Sequence, residues 1–239
     1  WLFLSLHLCT ASPSTFIILE PHKRKWIPTL DNSSLAKQNV KIAKDPFNQT
    51  FISLDPIDRK KQFQFQKYNV EYQIGKRLID YYTFLPQSVS NELAEWAKTN
   101  KQSRSNTEYL NHILSTFADG SYYYNLSPEN NLQNTYADFF FRGKEGYCEY
   151  FAGTFVLLAR LANIPSRIVS GYYGGELNTV GDFYEFRQRD THAWAEVWLN
   201  GKGWVRVDPT SVIPSSNVRN SLNNIFNDED NSTSSIFTL

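Results

Sequence analysis

Gly146-Tyr147-Cys148-Glu149-Tyr150-Phe151-Ala152 marks the point where an irregular segment gives way to an apolar helix. Phe151, Ala152, Phe155, Leu158, Ala159 and Ala162 recur at helical spacing and form one broad buried face, so a helix is expected from Cys148 to about Ala162. Asn163 suits a left-handed cap, and Pro165 prevents continuation. The cysteine therefore starts the helix, where unpaired N–H groups and a partial positive charge favour a thiolate.

His192 follows 44 residues later in Asp190-Thr191-His192-Ala193-Trp194-Ala195-Glu196, and Asp208 another 16 residues on in Trp204-Val205-Arg206-Val207-Asp208-Pro209-Thr210. A thiol, an imidazole and a carboxylate in this order suggest a nucleophile, its base and the base's orienter. The Cys148 backbone N–H is a candidate oxyanion donor, and sequence does not identify a second one. Each residue also has a plainer reading. A single cysteine at a helix start is more often an inert core residue, and Asp-Pro-Thr is a common turn initiator. Trp194, Trp198 and Trp204 read first as hairpin packing, with Trp194 also a candidate for lining the acyl site.

The turn at Asn200-Gly201-Lys202-Gly203 tests whether His192 and Asp208 share a face. A two-residue loop would set His192 against position 209, with Asp208 on the opposite face. A three-residue loop pairs Leu199 with Gly203, which makes Asp208 a diagonal neighbour of His192 on one face. The longer loop or a bulge is therefore expected, with Asp208 bonded to one imidazole nitrogen and Cys148 near the other.

The rest of the chain limits the alternatives. It has 239 residues with 24 basic and 24 acidic side chains, so charge gives no general case for a nucleic-acid partner or an anionic membrane surface. Only Cys9 and Cys148 are present, which excludes a disulfide scaffold, and no CxxC or His pair has zinc-ligand spacing. No metal and no cofactor is expected. The chain contains no Met, which reads as a fragment or processed product. Trp1 to Cys9 is apolar but too short to span a bilayer, which takes about 20 residues. It reads equally as the trailing end of a membrane or signal segment and as a terminal strand.

Four regions are expected: a terminal apolar segment at 1–14, a β-rich region at 15–86, a catalytic core at 87–215 and a polar tail at 216–239. Lys61 to Gly75 alternates, with Tyr68, Val70, Tyr72 and Ile74 on one face of an expected strand, and Asp31 to Gln49 reads as loop. Ser90 to Asn100 reads as a helix. Ser105-Asn106-Thr107-Glu108 is a capping box before Leu110, Ile113, Leu114 and Phe117 at helical spacing. Tyr122 to Gly143 reads mostly as loop. Strands are expected at 167–171, 183–187, 193–199 and 204–208.

These stretches, with Leu161-Ala162-Asn163-Ile164-Pro165-Ser166-Arg167, Gly171-Tyr172 and the Trp198 and Gly203 ends of the hairpin, resemble the transglutaminase-like superfamily. The similarity is greatest to the extracytoplasmic domain of its bacterial membrane-anchored members. It is specific over about residues 105–215 and weaker from Pro28 to Pro86. Asn163 stands where the family usually has Gly.

The resemblance implies an α+β fold with a papain-like cysteine-proteinase/transglutaminase core, its cysteine on a helix and His/Asp on an antiparallel sheet. It implies Cys148 as nucleophile, His192 as base and Asp208 as orienter. The implied reaction attacks a protein or peptide glutamine, releases ammonia and leaves a thioester that an amine or water resolves. A peptidase or amidase on the same residues, and a non-catalytic binding scaffold, are the alternatives. The resemblance also implies a periplasmic or extracellular domain of an inner-membrane-anchored protein, held at the membrane by segments outside this chain, and a monomer is expected. The calcium of animal relatives has no Asp-x-Asp-x-Asp-Gly loop to bind here.

Overall fold

Nine consecutive residues of the central helix, Phe151 to Ala159, are buried, which is what a helix apolar on every side requires. The structure is a computed structural model that describes residues 4–7, 14–30, 33–36, 41–45, 50–67, 74–128 and 135–219. Residues 68–73 of the strand expected at Lys61 to Gly75, both ends of the Trp1–Cys9 run and residues 220–239 of the polar tail lie outside the described residues.

Strands β1 (Leu4–His7), β2 (Ser14–Leu19), β3 (Trp26–Ile27), β4 (Ser33–Leu35), β5 (Ile42–Lys44), β6 (Phe51–Ser53) and β7 (Lys61–Lys67) come first. Helices α1 (Lys76–Thr83), α2 (Asn91–Lys101) and α3 (Asn106–Phe117) follow, then strand β8 (Tyr123–Asn125). The short helix α4 (Thr135–Asp138) runs into a π-helical turn at Phe139–Gly143, followed by β9 (Glu145–Gly146) and the central helix α5 (Cys148–Leu161). Strands β10 (Ser166–Tyr172), β11 (Glu176–Asn178), β12 (Phe183–Phe186), β13 (Thr191–Leu199), β14 (Gly203–Val207) and β15 (Val218–Arg219) complete the chain. Among the described residues no helix is long and apolar enough to cross a membrane.

The chain divides into two compact units, Trp1–Ile74 with Ser170–His192, and Gly75–Val169 with Ala193–Leu239. The first holds an antiparallel sheet in the order β11-β12-β1-β2-β7-β4 and a smaller one, β3-β6-β5. Its core follows the period-two rule: Ile17 on β2 and Phe63 on β7 are opposite each other and both buried. Residues Leu4–His7 of the apolar run pair with β2 and β12 as a strand.

The second unit is built around α5. Phe117, Tyr122, Phe139, Phe140 and Phe151 form a cluster of aromatic rings, with Phe139 and Phe151 edge-to-face at 4.8 Å. Two buried phenols are satisfied by carbonyls: Tyr109 donates to Leu158 O at 3.0 Å and Tyr122 to Phe140 O at 2.7 Å. The expected capping box forms at Ser105 and Glu108, and Ser90 caps α2. Asn163 ends the central helix at a φ of 56°, the left-handed conformation that its side chain tolerates. The Arg160 guanidinium secures this end by donating to Ser166 O and Phe84 O.

Three segments differ from expectation. Tyr122 to Gly143 is not mainly loop: it holds β8, α4 and the π-helical turn. The partners of β8 are remote in sequence, β9 and β15, both parallel to it, so local pattern does not announce the strand. Lys76–Thr83 is a helix inside the 15–86 stretch expected to be β-rich, with Tyr82 buried and Lys76 paired with Asp80 one turn on. Asp31 to Gln49 contains the short strands β4 and β5, whose pairing with β7 and β6 overrides their polar composition.

Gly153 sits inside α5 where a methyl group has no room. An added Cβ would lie 2.2 Å from the Tyr136 ring. Gly153→Ala gains helix propensity but must displace that ring, so a net loss of about 1–3 kcal/mol is expected in urea denaturation. A variant as stable as the wild type would show that Tyr136 yields freely.

Candidate active site

Cys148 is the first residue of α5, half-buried and in no disulfide. Tyr147 before it is extended, at φ −106° and ψ −177°, and places no side-chain cap on the helix. The approach is fixed by the π-helical turn, which closes with Lys144 in the left-handed conformation at φ 53° and its N–H donated to Phe139 O at 2.8 Å. Such turns are uncommon and concentrate at functional sites. Strand β9 then carries the chain to the helix, paired with β8 so that Tyr124 stands opposite Gly146.

Asp208 follows β14 and caps the turn Pro209–Val212. Its Oδ1 accepts from the Thr210 N–H at 3.0 Å and from the Thr210 hydroxyl at 2.7 Å. The plainer reading of Asp208 as a turn initiator is therefore also true, and these bonds hold its carboxylate in one orientation. The hairpin loop has three residues, since Leu199 pairs with Gly203 and Ala195 with Val207. This is the register that the shared face demanded.

His192 lies near the start of β13 and is half-buried. The Tyr173 ring packs against its imidazole at 5.7 Å. The 3-10 turn Gln188–Asp190 leads into the strand, and Asp190 O accepts from the Tyr173 N–H at 2.8 Å. His192 belongs to the first compact unit, Cys148 and Asp208 to the second. Trp194 is buried, with the Arg206 guanidinium 3.9 Å over its ring. Trp198 and Trp204, opposite each other in the hairpin, meet edge-to-face at 5.5 Å.

Tyr124 brings Cys148 and Asp208 into one neighbourhood. Burial pushes its hydroxyl well above the ordinary tyrosine range, and the Cys148 charge, a hydrogen bond to the Cys148 side chain and the Asp208 charge push the same way. A backbone hydrogen bond from Cys148 pulls the other way. Sequence alone does not single out this residue, because Tyr122-Tyr123-Tyr124 falls in the Tyr122–Gly143 stretch that reads mostly as loop.

A model of the transglutaminase-like superfamily matches residues 88–209. The protein-glutamine gamma-glutamyltransferase of Pseudomonas aeruginosa is 27% identical over 210 residues, covering 86% of this chain and 31% of that protein. The uncharacterized protein YebA of Bacillus subtilis is 28% identical over 158 residues, covering 64% of this chain and 21% of that protein. The chain thus spans about a third or less of these relatives. The crystal structure of the periplasmic domain of TgpA from Pseudomonas aeruginosa, bound to ethylmercury, superposes with a TM-score of 0.76 at 26% identity. It covers 85% of this chain and 73% of that one, and the shared architecture is the α+β, papain-like one. A helix opening on cysteine, an antiparallel hairpin ending in aspartate and a match over 122 of 239 residues together assign the fold and its ancestry: the chain belongs to the transglutaminase-like superfamily.

Proposed function

We propose that this chain is a cysteine-dependent acyltransferase acting on glutamine side chains of proteins or peptides, with Cys148 as nucleophile, His192 as base and Asp208 as orienter. The observation that carries the reading is the setting of Cys148: first residue of a buried helix, close enough to Tyr124 that its charge and that of Asp208 both raise the same phenol. Membership of a superfamily of cysteine-dependent acyltransferases and protease-like proteins supports it. In the proposed step the Cys148 sulfur attacks the carboxamide carbon, and the carbonyl π electrons move to oxygen. Collapse breaks the C–N bond, and the nitrogen leaves as ammonia with the proton His192 delivers. A lysine amine, another amine or water then attacks the thioester, giving an isopeptide, an amide or glutamate.

Likeness to a periplasmic domain supports a place for the chain in the periplasm of a membrane-anchored protein. A monomer suffices, because every proposed catalytic group comes from one chain. Incubation with a glutamine donor peptide and a labelled primary amine tests the activity. Label joined to the donor with release of ammonia is expected. Ammonia without label shows water as the acceptor, and cleavage of the peptide backbone indicates a peptidase. No ammonia, no label and no cleavage would leave a binding scaffold.

A further inference from the structure

The 24 basic and 24 acidic side chains balance over the whole chain but not along it. His22-Lys23-Arg24-Lys25-Trp26 brings three consecutive cations to the start of β3, and all three are exposed. The backbone fixes this segment: the His22 and Lys23 N–H groups both donate to Ile57 O, at 3.0 and 2.9 Å, and Lys23 is left-handed at φ 58°. The His22 ring stacks on Trp26 at 4.4 Å and 16°. In the sheet β3-β6-β5, Trp26, Ile52 and Ala43 stand opposite one another and share one side. Leu54, two residues after Ile52, continues that side, and its N–H donates to Lys41 O at 2.9 Å, which sets the exposed Lys41 beside it. Trp26 is 40% exposed, Ile52 39% and Leu54 51%, against 3% for Ile27 on the opposite, buried side. An antiparallel sheet ordinarily turns polar residues to water, so three large apolar side chains there mark a contact surface.

We propose that this side of the β3-β6-β5 sheet docks on an anionic lipid bilayer, with Trp26, Ile52 and Leu54 entering the headgroup layer and Lys23, Arg24, Lys25 and Lys41 meeting lipid phosphates. Charge and apolarity together select that occupant. A protein interface is depleted of lysine at its centre, whereas here Lys41 borders Leu54 and Lys25 precedes Trp26. A soluble polyanion would use the cations and leave Ile52 and Leu54 in water. A bilayer uses both, because its phosphates attract the cations, the apolar tips reach the acyl boundary, and indole is favoured at that depth. The long cationic stems keep their charges among the phosphates while the apolar residues sink. Asp45 and Asp55, just past β5 and β6, offset part of the attraction, and Glu20 is paired with Lys60 at 2.5 Å. An apolar patch of this size with a few cations gives reversible adsorption, not insertion. In the membrane-anchored protein proposed above, the contact fixes how this sheet faces the bilayer, and none of its residues is among the groups proposed for catalysis.

Cosedimentation with vesicles tests the contact, using equal parts phosphatidylglycerol and phosphatidylethanolamine, and phosphatidylcholine alone as the uncharged control. Wild-type protein is expected to bind the anionic vesicles in preference to phosphatidylcholine, and less tightly as salt is raised. Arg24→Ala with Lys41→Ala is expected to weaken binding by about 25-fold, or about fivefold per cation. Ile52→Thr with Leu54→Ser is expected to weaken it by about tenfold, and threonine keeps the strand propensity at position 52. Melting temperatures check that each pair still folds, and the two pairs are independent, so either one decides if the other unfolds. Wild-type protein that leaves anionic vesicles unbound, or binds phosphatidylcholine equally well, overturns the proposal. So does undiminished binding by both pairs, which puts the contact elsewhere in the chain. Loss with the cation pair alone indicates a polyanion site, and loss with the apolar pair alone indicates an uncharged surface; each overturns the anionic bilayer as the occupant. Vesicle binding is read without turnover, so its outcome is separate from that of the glutamine assay.

Discussion

Cys148→Ala is expected to abolish ammonia release and amine incorporation, with kcat lower by about a million-fold, the order seen when a covalent nucleophile is deleted. The size of the effect follows from the role proposed for the sulfur. Without it there is no thioester, and the reaction reverts to direct attack of an amine or water on an unactivated carboxamide. The stability cost is expected to be small, near 1 kcal/mol, because Cys148 is half-buried at a helix end and the Phe151–Ala159 face is untouched. Denaturation measured beside turnover separates the two effects. An alanine variant that keeps its folded signal and its turnover would remove Cys148 from the chemistry and leave the scaffold reading.

Asp208→Asn is expected to lower kcat by about 10⁴-fold while leaving the fold almost unchanged. Asparagine keeps an Oδ1 that can accept from the Thr210 N–H and hydroxyl, so the turn Pro209–Val212 retains its cap. What it loses is the negative charge, and its amide presents a donor where the proposed imidazole N–H needs an acceptor. The histidine is then held in the wrong tautomer and its protonated form loses its counter-charge. Asp208→Ala adds the loss of the cap, at about 1 kcal/mol. Comparing the two by kcat and by urea denaturation divides the structural role from the chemical one. If Asp208→Asn turns over at the wild-type rate, Asp208 is a turn residue only.

Much of the site's framework was legible in local sequence because it depends on short-range rules. The apolar spacing after Cys148 gave α5, Asn163 and Pro165 marked its end, and Ser105 with Glu108 marked the start of α3. The hairpin register followed from requiring two polar side chains on one face, and the Leu199–Gly203 pair agrees with it. The β8 strand was hidden because both its neighbours are parallel and remote, Gly146 on one edge and Val218 on the other. No alternation over three residues announces a strand paired across such distances. Tyr124 was missed with it, since its importance comes from a contact and not from a motif. The helix at Lys76–Thr83 was hidden for another reason: its one buried side chain, Tyr82, gives too sparse an apolar stripe to set a period.

The helix that carries Cys148 is packed on every side from Phe151 to Ala159 and pinned at its far end by Arg160. A nucleophile mounted this way has no inexpensive second position, because moving it means repacking the interior. A change confined to the thiol, such as its alkylation, is therefore expected to leave the helix and its packing in place.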